Sequence, residues 1–150
     1  MENIHILIAE DDESMQNSLS FILEDEGYKV STAFNGDEAI EIIYNCINTN
    51  KPVDLLITDI QMPEKNGLEL IKQLIESKIK IAKIVITGHG DKDLLINLIR
   101  LGCDDFLAKP FEPDEVCQKV SEVISKYKLI KEEDNKKTET LLKKKYRPFT

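Results

Sequence analysis

The feature that most constrains the fold is a regular alternation of short apolar runs with longer amphipathic segments. Five runs of five or six residues are rich in aliphatic and β-branched residues, and they occupy residues 4–9, 28–33, 54–59, 82–87 and 105–109. Parallel strands that are covered on both faces read as nearly continuous apolar runs. Runs such as IHILIA and AKIVIT are therefore predicted to be strands of a parallel sheet.

Each predicted strand is followed by a segment whose apolar residues recur at helical spacing. These residues are Met15, Leu19 and Ile22 in the first helix, Ala39, Ile40 and Ile43 in the second, Leu70, Ile71 and Leu74 in the third, and Val116, Val120, Val123, Ile124 and Tyr127 in the fifth. The fourth helix is predicted from about Asp91 to Leu101, with Gly102 just past its end, where a positive φ favours glycine. Five βα units in series predict a three-layer α/β sandwich with right-handed crossovers.

Composition narrows the classes of function. The 150 residues carry a net charge of −8, which predicts repulsion from nucleic acid and from anionic membrane surfaces. No apolar run approaches the roughly 20 residues that span a bilayer, and the N-terminus lacks a signal-peptide pattern. Cys46, Cys103 and Cys117 fit neither a disulfide framework nor a zinc site. The sequence thus predicts a cytoplasmic protein with no membrane span and no direct contact with nucleic acid.

The composition changes near the C-terminus. Residues 1–128 carry the alternating pattern and are predicted to form one domain, whereas residues 129–150 are rich in charge. This second segment is predicted to be a tail or linker, either a helical extension or disordered. Residues 45–53 are also unusual, because they are longer and more polar than expected for the connection between the second helix and the third strand.

Polar residues collect at the ends of the predicted strands. The carboxyl ends of parallel strands meet at one edge of a sheet, and ligand sites form there. The residues delivered to that edge are Glu10, Asp11 and Asp12 after the first strand, Asp59 at the end of the third, Thr87 and Gly88 at the fourth, and Lys109 at the fifth. Singly, each has a structural explanation, since acids cap helices and lone lysines are solvated. Together they suit a divalent cation and a phosphoryl group.

This set of groups has a chemical logic. Crowded carboxylates repel unless a cation shares the site, and oxygen ligands with room for water suit Mg²⁺. Asp59 lies on a rigid strand and is the candidate nucleophile, because aspartate can form an aspartyl phosphate. Lys109 would pair with one phosphoryl oxygen and Thr87 would donate its hydroxyl to another, while Gly88 leaves space for the group to enter.

The segments AEDD, DLLITDIQMP, VITGHG and DFLAKPF resemble the receiver domain of bacterial two-component response regulators. The resemblance covers residues 4 to about 127 and implies a flavodoxin-like, doubly wound sheet of five parallel strands in the order 2-1-3-4-5. It implies that Asp59 is the phosphoacceptor and that Thr87 and Lys109 are its catalytic partners. The implied Mg²⁺ ligands are Asp11, Asp12, Asp59 and the backbone carbonyl of Gln61.

The resemblance assigns further roles around this site. Thr87 and Phe106 match the family's switch pair, in which the hydroxyl moves toward the phosphoryl group and the ring takes the vacated space. Ordinary core packing is the alternative for Phe106. Pro110 matches a cis proline of the family. Gln61 and His89 occupy positions that tune the rate of dephosphorylation, although a solvent-facing loop residue is the alternative for His89.

The function implied by the resemblance is a phosphorylation-dependent signalling switch. A sensor histidine kinase or a phosphotransfer protein would donate the phosphoryl group. The altered surface of the fourth helix and fifth strand would then control an output domain or effector protein, and a phosphorylation-dependent homodimer is compatible with the resemblance. No enzymatic activity is expected beyond self-catalysed phosphotransfer and autodephosphorylation.

Three other functions compete with this interpretation. A Mg²⁺-dependent phosphatase for small molecules would need a second acid two residues after Asp59, where Gln61 stands. A flavodoxin or dinucleotide-binding protein would need a turn rich in Gly, Ser or Thr after the first strand, where the acidic EDDES stands. A receiver that is never phosphorylated is the third alternative, and the complete set of acids with Thr87 and Lys109 argues against it.

Overall fold

The computed structural model describes residues 4–88 and 90–128. It contains a five-stranded parallel sheet in the order β2-β1-β3-β4-β5. The strands are β1 (His5–Ala9), β2 (Lys29–Ala33), β3 (Leu55–Asp59), β4 (Ala82–Thr87) and β5 (Asp105–Ala108). The helices are α1 (Glu13–Asp25), α2 (Gly36–Asn48), α3 (Gly67–Glu76), α4 (Lys92–Arg100) and α5, which comprises 113–128 in the described part of the chain. The predicted α/β sandwich and the strand order 2-1-3-4-5 are confirmed.

The sheet is covered by helices on both faces, because successive side chains of a strand point to opposite sides. Ile8 of β1 joins Leu19 of α1 and Val120 of α5 in one core cluster. The neighbouring Leu7 joins Leu70 of α3 in a second cluster on the opposite face. The strands β1, β3 and β4 are buried along their whole length. The centre of the sheet is therefore a rigid support for the residues at its carboxyl edge.

The first three helices begin at capping residues. Asp12, Asn35 and Asn66 have extended backbones, and each side chain accepts a hydrogen bond from the backbone N–H three residues later. Asn66 and Glu69 form a complete capping box at the start of α3. Gly102 has a φ of 95°, as predicted for the residue just past α4.

The connection before β3 is shorter than residues 45–53 suggested, because α2 continues to Asn48. The hydroxyl of Thr49, the C-cap residue, donates to the carbonyl oxygens of Asn45 and Cys46 at 3.1 and 3.2 Å. Polar residues in this segment thus end a helix rather than form a long loop. Within residues 4–88 and 90–128, no helix combines the length and the apolar character that crossing a membrane requires. The predicted tail, residues 129–150, lies outside the described residues.

The pairing of the strands brings the predicted site residues to one edge. The end of β1 pairs with the end of β3, so that Glu10 and Asp59 leave neighbouring strands side by side. Between β4 and β5, the backbone N–H of Lys109 donates to the carbonyl oxygen of Thr87 at 2.8 Å. The predicted nucleophile, hydroxyl and ammonium group therefore share the carboxyl edge of the sheet, as the alternating sequence pattern indicated.

Candidate functional site

Asp59 lies at the centre of the site and ends the central strand β3. Its side chain is 7% exposed, and Oδ2 accepts a hydrogen bond from Nζ of Lys109 at 2.9 Å. Its Oδ1 accepts a bond from the backbone N–H of Gln61 at 3.3 Å. Gly67 begins α3 against this strand end, and a Cβ at residue 67 would lie 2.3 Å from the carbonyl oxygen of Asp59. The close approach of α3 to the end of β3 therefore requires glycine.

Three carboxylates meet at this edge. Glu10, Asp11 and Asp59 each place one oxygen so that the three oxygens lie within 4.8 Å of one another. Glu10 is fully buried and Asp59 nearly so, whereas Asp11 is exposed. The cluster thus opens to solvent on the side of Asp11 and is closed on the side of Glu10.

Glu10, the fully buried carboxyl group of this cluster, lies in surroundings that disfavour its ionised form. Burial raises the pKa of Glu10 from 4.5 to about 8, and the neighbouring carboxylate of Asp59 contributes to this rise. Lys109 and the backbone N–H of Asp12 offset part of this rise in pKa. The Oε1 atom accepts that N–H at 3.2 Å, but the buried Oε2 atom has no hydrogen-bond partner among the described residues.

These observations fit a divalent cation. Hard ions such as Mg²⁺ prefer carboxylate oxygens and retain several waters, and the three oxygens with one solvent-exposed side provide such a set. A cation would give the unpartnered Oε2 of Glu10 a partner and would stabilise the ionised carboxyl groups. The chemistry of the donors therefore fits Mg²⁺, and Glu10, which was not among the predicted ligands, is one of the residues that could hold the ion.

Lys109 is positioned to carry a positive charge beside the acids. Its ammonium lies 2.9 Å from Asp59 Oδ2 and 4.0 Å from Glu10 Oε1. Burial lowers the pKa of Lys109, but the hydrogen bond and charge of Asp59, together with the charges of Glu10 and Asp11, outweigh burial and raise it. Lys109 is consequently an ammonium ion at neutral pH. The Lys109–Pro110 peptide bond is cis, as the resemblance implied.

Thr87 and Phe106 lie on the neighbouring strands β4 and β5. Thr87 is buried, and its hydroxyl donates to the carbonyl oxygen of Leu107 at 3.4 Å. Phe106 is 37% exposed, and Nζ of Lys119 lies 4.7 Å from the centre of its ring. The alternative that Phe106 is an ordinary core residue is therefore wrong. Its role as a switch residue stays a prediction.

The structure separates the three consecutive acids of the EDD segment. Asp12, a predicted metal ligand, is exposed and caps α1, where its Oδ1 accepts the N–H of Met15 at 3.1 Å. Glu10 instead joins Asp11 and Asp59 in the carboxylate cluster. The sequence pattern did not distinguish these positions, because a helix cap and a metal ligand use the same residue types. The metal role predicted for Asp12 is untested.

One residue of the site was missed by the sequence analysis. Asp91 is buried, and its Oδ1 accepts a hydrogen bond from the side-chain amide of Gln61 at 3.4 Å. Sequence placed Asp91 only at the start of α4. The predicted roles of Gln61 in metal binding and dephosphorylation remain predictions, and His89 lies outside the described residues.

Known proteins resemble this chain in sequence and in fold. The response regulator SaeR from Staphylococcus aureus is 32% identical over 124 residues, which are 83% of this chain and 52% of SaeR. The chain thus spans about half the length of the curated relatives it matches. A receiver domain protein from Clostridium thermocellum superposes with a TM-score of 0.76 at 28% identity, over 85% of this chain and 98% of that structure. NtrX from Brucella abortus superposes with a TM-score of 0.78 at 28% identity, over 89% of this chain and 29% of that structure.

The family comparison covers most of the chain. Residues 6–121 match the response regulator receiver domain. Receiver domains generally bind Mg²⁺ at an acidic pocket, and their membership of two-component systems implies kinase and output partners in general. This chain has an acidic group of three carboxylates at the carboxyl edge of β1 and β3. The chain belongs to the family of response regulator receiver domains.

Proposed function

We propose that this chain is a phosphorylation-controlled switch in which Asp59 is the phosphoacceptor. The observation that carries the proposal is the environment of its carboxylate, which is buried, bonded to Lys109 at 2.9 Å and clustered with Glu10 and Asp11. A nucleophile in this position is fixed by its strand, and the neighbouring ammonium is ready to neutralise incoming negative charge.

In the proposed transfer, a carboxylate oxygen of Asp59 forms a bond to phosphorus. The bond between phosphorus and the donor breaks, and the donor departs with that electron pair, so that an aspartyl phosphate replaces the carboxylate. Lys109 then pairs with a phosphoryl oxygen, and Thr87 turns its hydroxyl from Leu107 to another. Phe106 is the proposed partner of Thr87 in the switch.

The acidic pocket would hold Mg²⁺ through Glu10, Asp11 and Asp59, and Asp12 and the carbonyl of Gln61 are further ligands predicted from sequence. When bound, the cation would offset negative charge on the carboxylates and on the phosphoryl oxygens. Glu10 would contribute from the buried side, where its Oε2 atom has no hydrogen-bond partner among the described residues. Asp11 contributes from the exposed side.

The remaining elements of the proposal concern the partners, the location and the extent of the switch. A sensor histidine kinase or phosphotransfer protein is the proposed donor, and an output domain or effector protein is the proposed target of the α4 and β5 surface. We propose no catalytic activity on other substrates, a cytoplasmic location, and residues 1–128 as the switch with residues 129–150 as its tail or linker. A phosphorylation-dependent homodimer is part of the proposal.

Acetyl phosphate with Mg²⁺ provides the test. Wild-type protein should gain one phosphoryl group by intact mass, and Asp59→Asn should gain none, whereas the control Asp25→Asn, at the exposed end of α1, should match wild type. Excess chelator should strongly slow labelling. Equal labelling of the Asp59 variant would contradict the assignment, and turnover of a small phosphate ester beyond one equivalent would favour a phosphatase.

A further inference from the structure

The carboxylate of Asp91 ties together two loops that flank Asp59. Asp91 is 7% exposed. Its Oδ2 atom accepts the backbone N–H of Gly88 at 2.7 Å, and its Oδ1 atom accepts the side-chain amide of Gln61 at 3.4 Å. Gly88 directly follows Thr87 at the end of β4, and Gln61 lies two residues beyond the end of β3. Asp91 therefore connects the loops that leave the two strands adjacent to the site.

Asp91 occupies the N-cap position of α4 without capping it. The N-cap residues of α1, α2 and α3 have extended backbones and accept an N–H of the first helical turn. Asp91 instead has φ −91° and ψ 9°, and it makes no side-chain capping bond among the described residues. Its carboxylate thus has two competing sets of donors, the amides of Gly88 and Gln61 on one side and the first turn of α4 on the other.

We infer that Asp91 is a positioning residue that holds Gly88 and Gln61 in the unphosphorylated arrangement and releases them when Asp59 is phosphorylated. The inference rests on the proposed function. A phosphoryl group on Asp59 brings negative charge and several acceptor oxygens to the carboxyl edge. These oxygens compete with Asp91 for N–H donors, and their charge repels its carboxylate.

Release of Asp91 connects the site to α4. Once its carboxylate leaves Gly88, the free N–H groups at the start of α4 offer it an alternative partner, which favours the new arrangement. In this inference, phosphorylation breaks these two hydrogen bonds, and their loss costs free energy. Removing the carboxylate should therefore make the phosphorylated state easier to reach.

Three variants test the inference. Asp91→Ala removes both acceptor oxygens, whereas Asp91→Asn keeps one oxygen and cannot accept from Gly88 and Gln61 together. Asp93→Asn is the matched control, because it neutralises an exposed acid in the first turn of the same helix. A hydrogen bond to a charged group is worth about tenfold in an equilibrium constant. Asp91→Ala should therefore lower the acetyl phosphate concentration for half-maximal labelling about tenfold, and Asp91→Asn should lower it by less.

Nuclear magnetic resonance provides a readout that does not depend on phosphorylation. The amide proton of Gly88 should resonate downfield in unmodified wild-type protein because it donates to a carboxylate at 2.7 Å. In Asp91→Ala it should move upfield, and in Asp93→Asn it should not move. If the alanine variant fails to fold, Asp91→Asn is measured instead, and its Gly88 proton should move upfield by a smaller amount, because a neutral amide oxygen is a weaker acceptor than a carboxylate.

The outcomes distinguish this inference from the proposed function. Absence of labelling in wild-type protein would overturn the proposed function. Normal wild-type labelling would leave that function standing, and the inference would be wrong if the folded Asp91 variants required as much acetyl phosphate as wild type. It would also be wrong if Asp93→Asn lowered the requirement equally, or if the Gly88 resonance were the same in all four proteins.

Discussion

Glu10 makes the stability of the metal-free protein depend on pH in a specific direction. Its pKa of about 8 in the folded protein exceeds its ordinary value of 4.5, so between these values the folded chain keeps a proton that the unfolded chain releases. The contribution of Glu10 to the free energy of unfolding is therefore fully present below about pH 4.5 and is lost as the pH rises through about 8. Substituting Glu10→Gln should abolish this loss, because glutamine keeps the shape of the protonated acid and does not titrate.

The magnitude follows from the shift in pKa. Each unit of pKa corresponds to about 1.4 kcal/mol, which gives an upper limit of about 5 kcal/mol for the loss. The ionised form retains Lys109 at 4.0 Å, and water reaches the edge of the sheet beside Asp11. Solvent screening of this kind reduces electrostatic contributions. We therefore expect wild type to lose about 2 kcal/mol more than Glu10→Gln between about pH 5.5 and 8.5.

Urea unfolding followed by circular dichroism measures this difference, in chelator and at constant ionic strength. Taking the difference between the two proteins cancels the titration of His5, whose effect on stability has the opposite sign. Glu41→Gln, an exposed position on α2, is the control and should follow the wild-type curve. Added Mg²⁺ should flatten the wild-type curve, because a cation stabilises the ionised pocket. Parallel curves for wild type and Glu10→Gln in chelator would refute the reasoning.

Three further predictions concern the stability of the fold. Burial first, and then the charge of Lys29, lower the pKa of His5. The contribution of His5 to stability should therefore increase as the pH rises toward 6.5 and be complete above it, and the proton resonances of its ring should titrate below 6.5. Gly67→Ala should destabilise the protein by about 1–3 kcal/mol in urea unfolding, because the new Cβ meets backbone at 2.3 Å, whereas Gly88→Ala meets only a side-chain oxygen at 3.5 Å and should be tolerated. Asn66→Ala removes the capping box of α3 and should cost about 1 kcal/mol by the same measurement, and no change would contradict the capping role.

The elements of the fold were predictable because local patterns and long-range packing agree. The predicted strand AKIVIT has the same bounds as β4, Ala82–Thr87. The apolar residues at helical spacing pack into the core on both sides of the sheet. The end of α2 was less predictable. Its last turn contains asparagine and its C-cap is a threonine, both typical of loops, but the hydroxyl of Thr49 donates to carbonyl groups at the helix end. The sequence alone does not show whether such a residue interrupts a helix or completes the hydrogen bonds at its end.

The site was predictable in its chemistry and less so in its positions. Asp59 and Lys109 follow from the strand ends, and they lie 2.9 Å apart. The choice between Glu10 and Asp12 depends on where the strand ends and the helix begins, and the two residues of difference exchange a buried position for an exposed one. Asp91 was not predictable from its local sequence, because its two partners come from the ends of other strands.

Mapping the phosphoryl group to a residue tests the central claim most directly. Protein treated with acetyl phosphate and Mg²⁺ can be reduced with borohydride, which converts an aspartyl phosphate to homoserine, and then analysed by peptide mass spectrometry. The structure predicts homoserine at position 59 alone, and none there when acetyl phosphate is omitted. Homoserine at Asp11 or another acid, with an unmodified Asp59, would contradict the proposal that the carboxylate ending β3 receives the phosphoryl group.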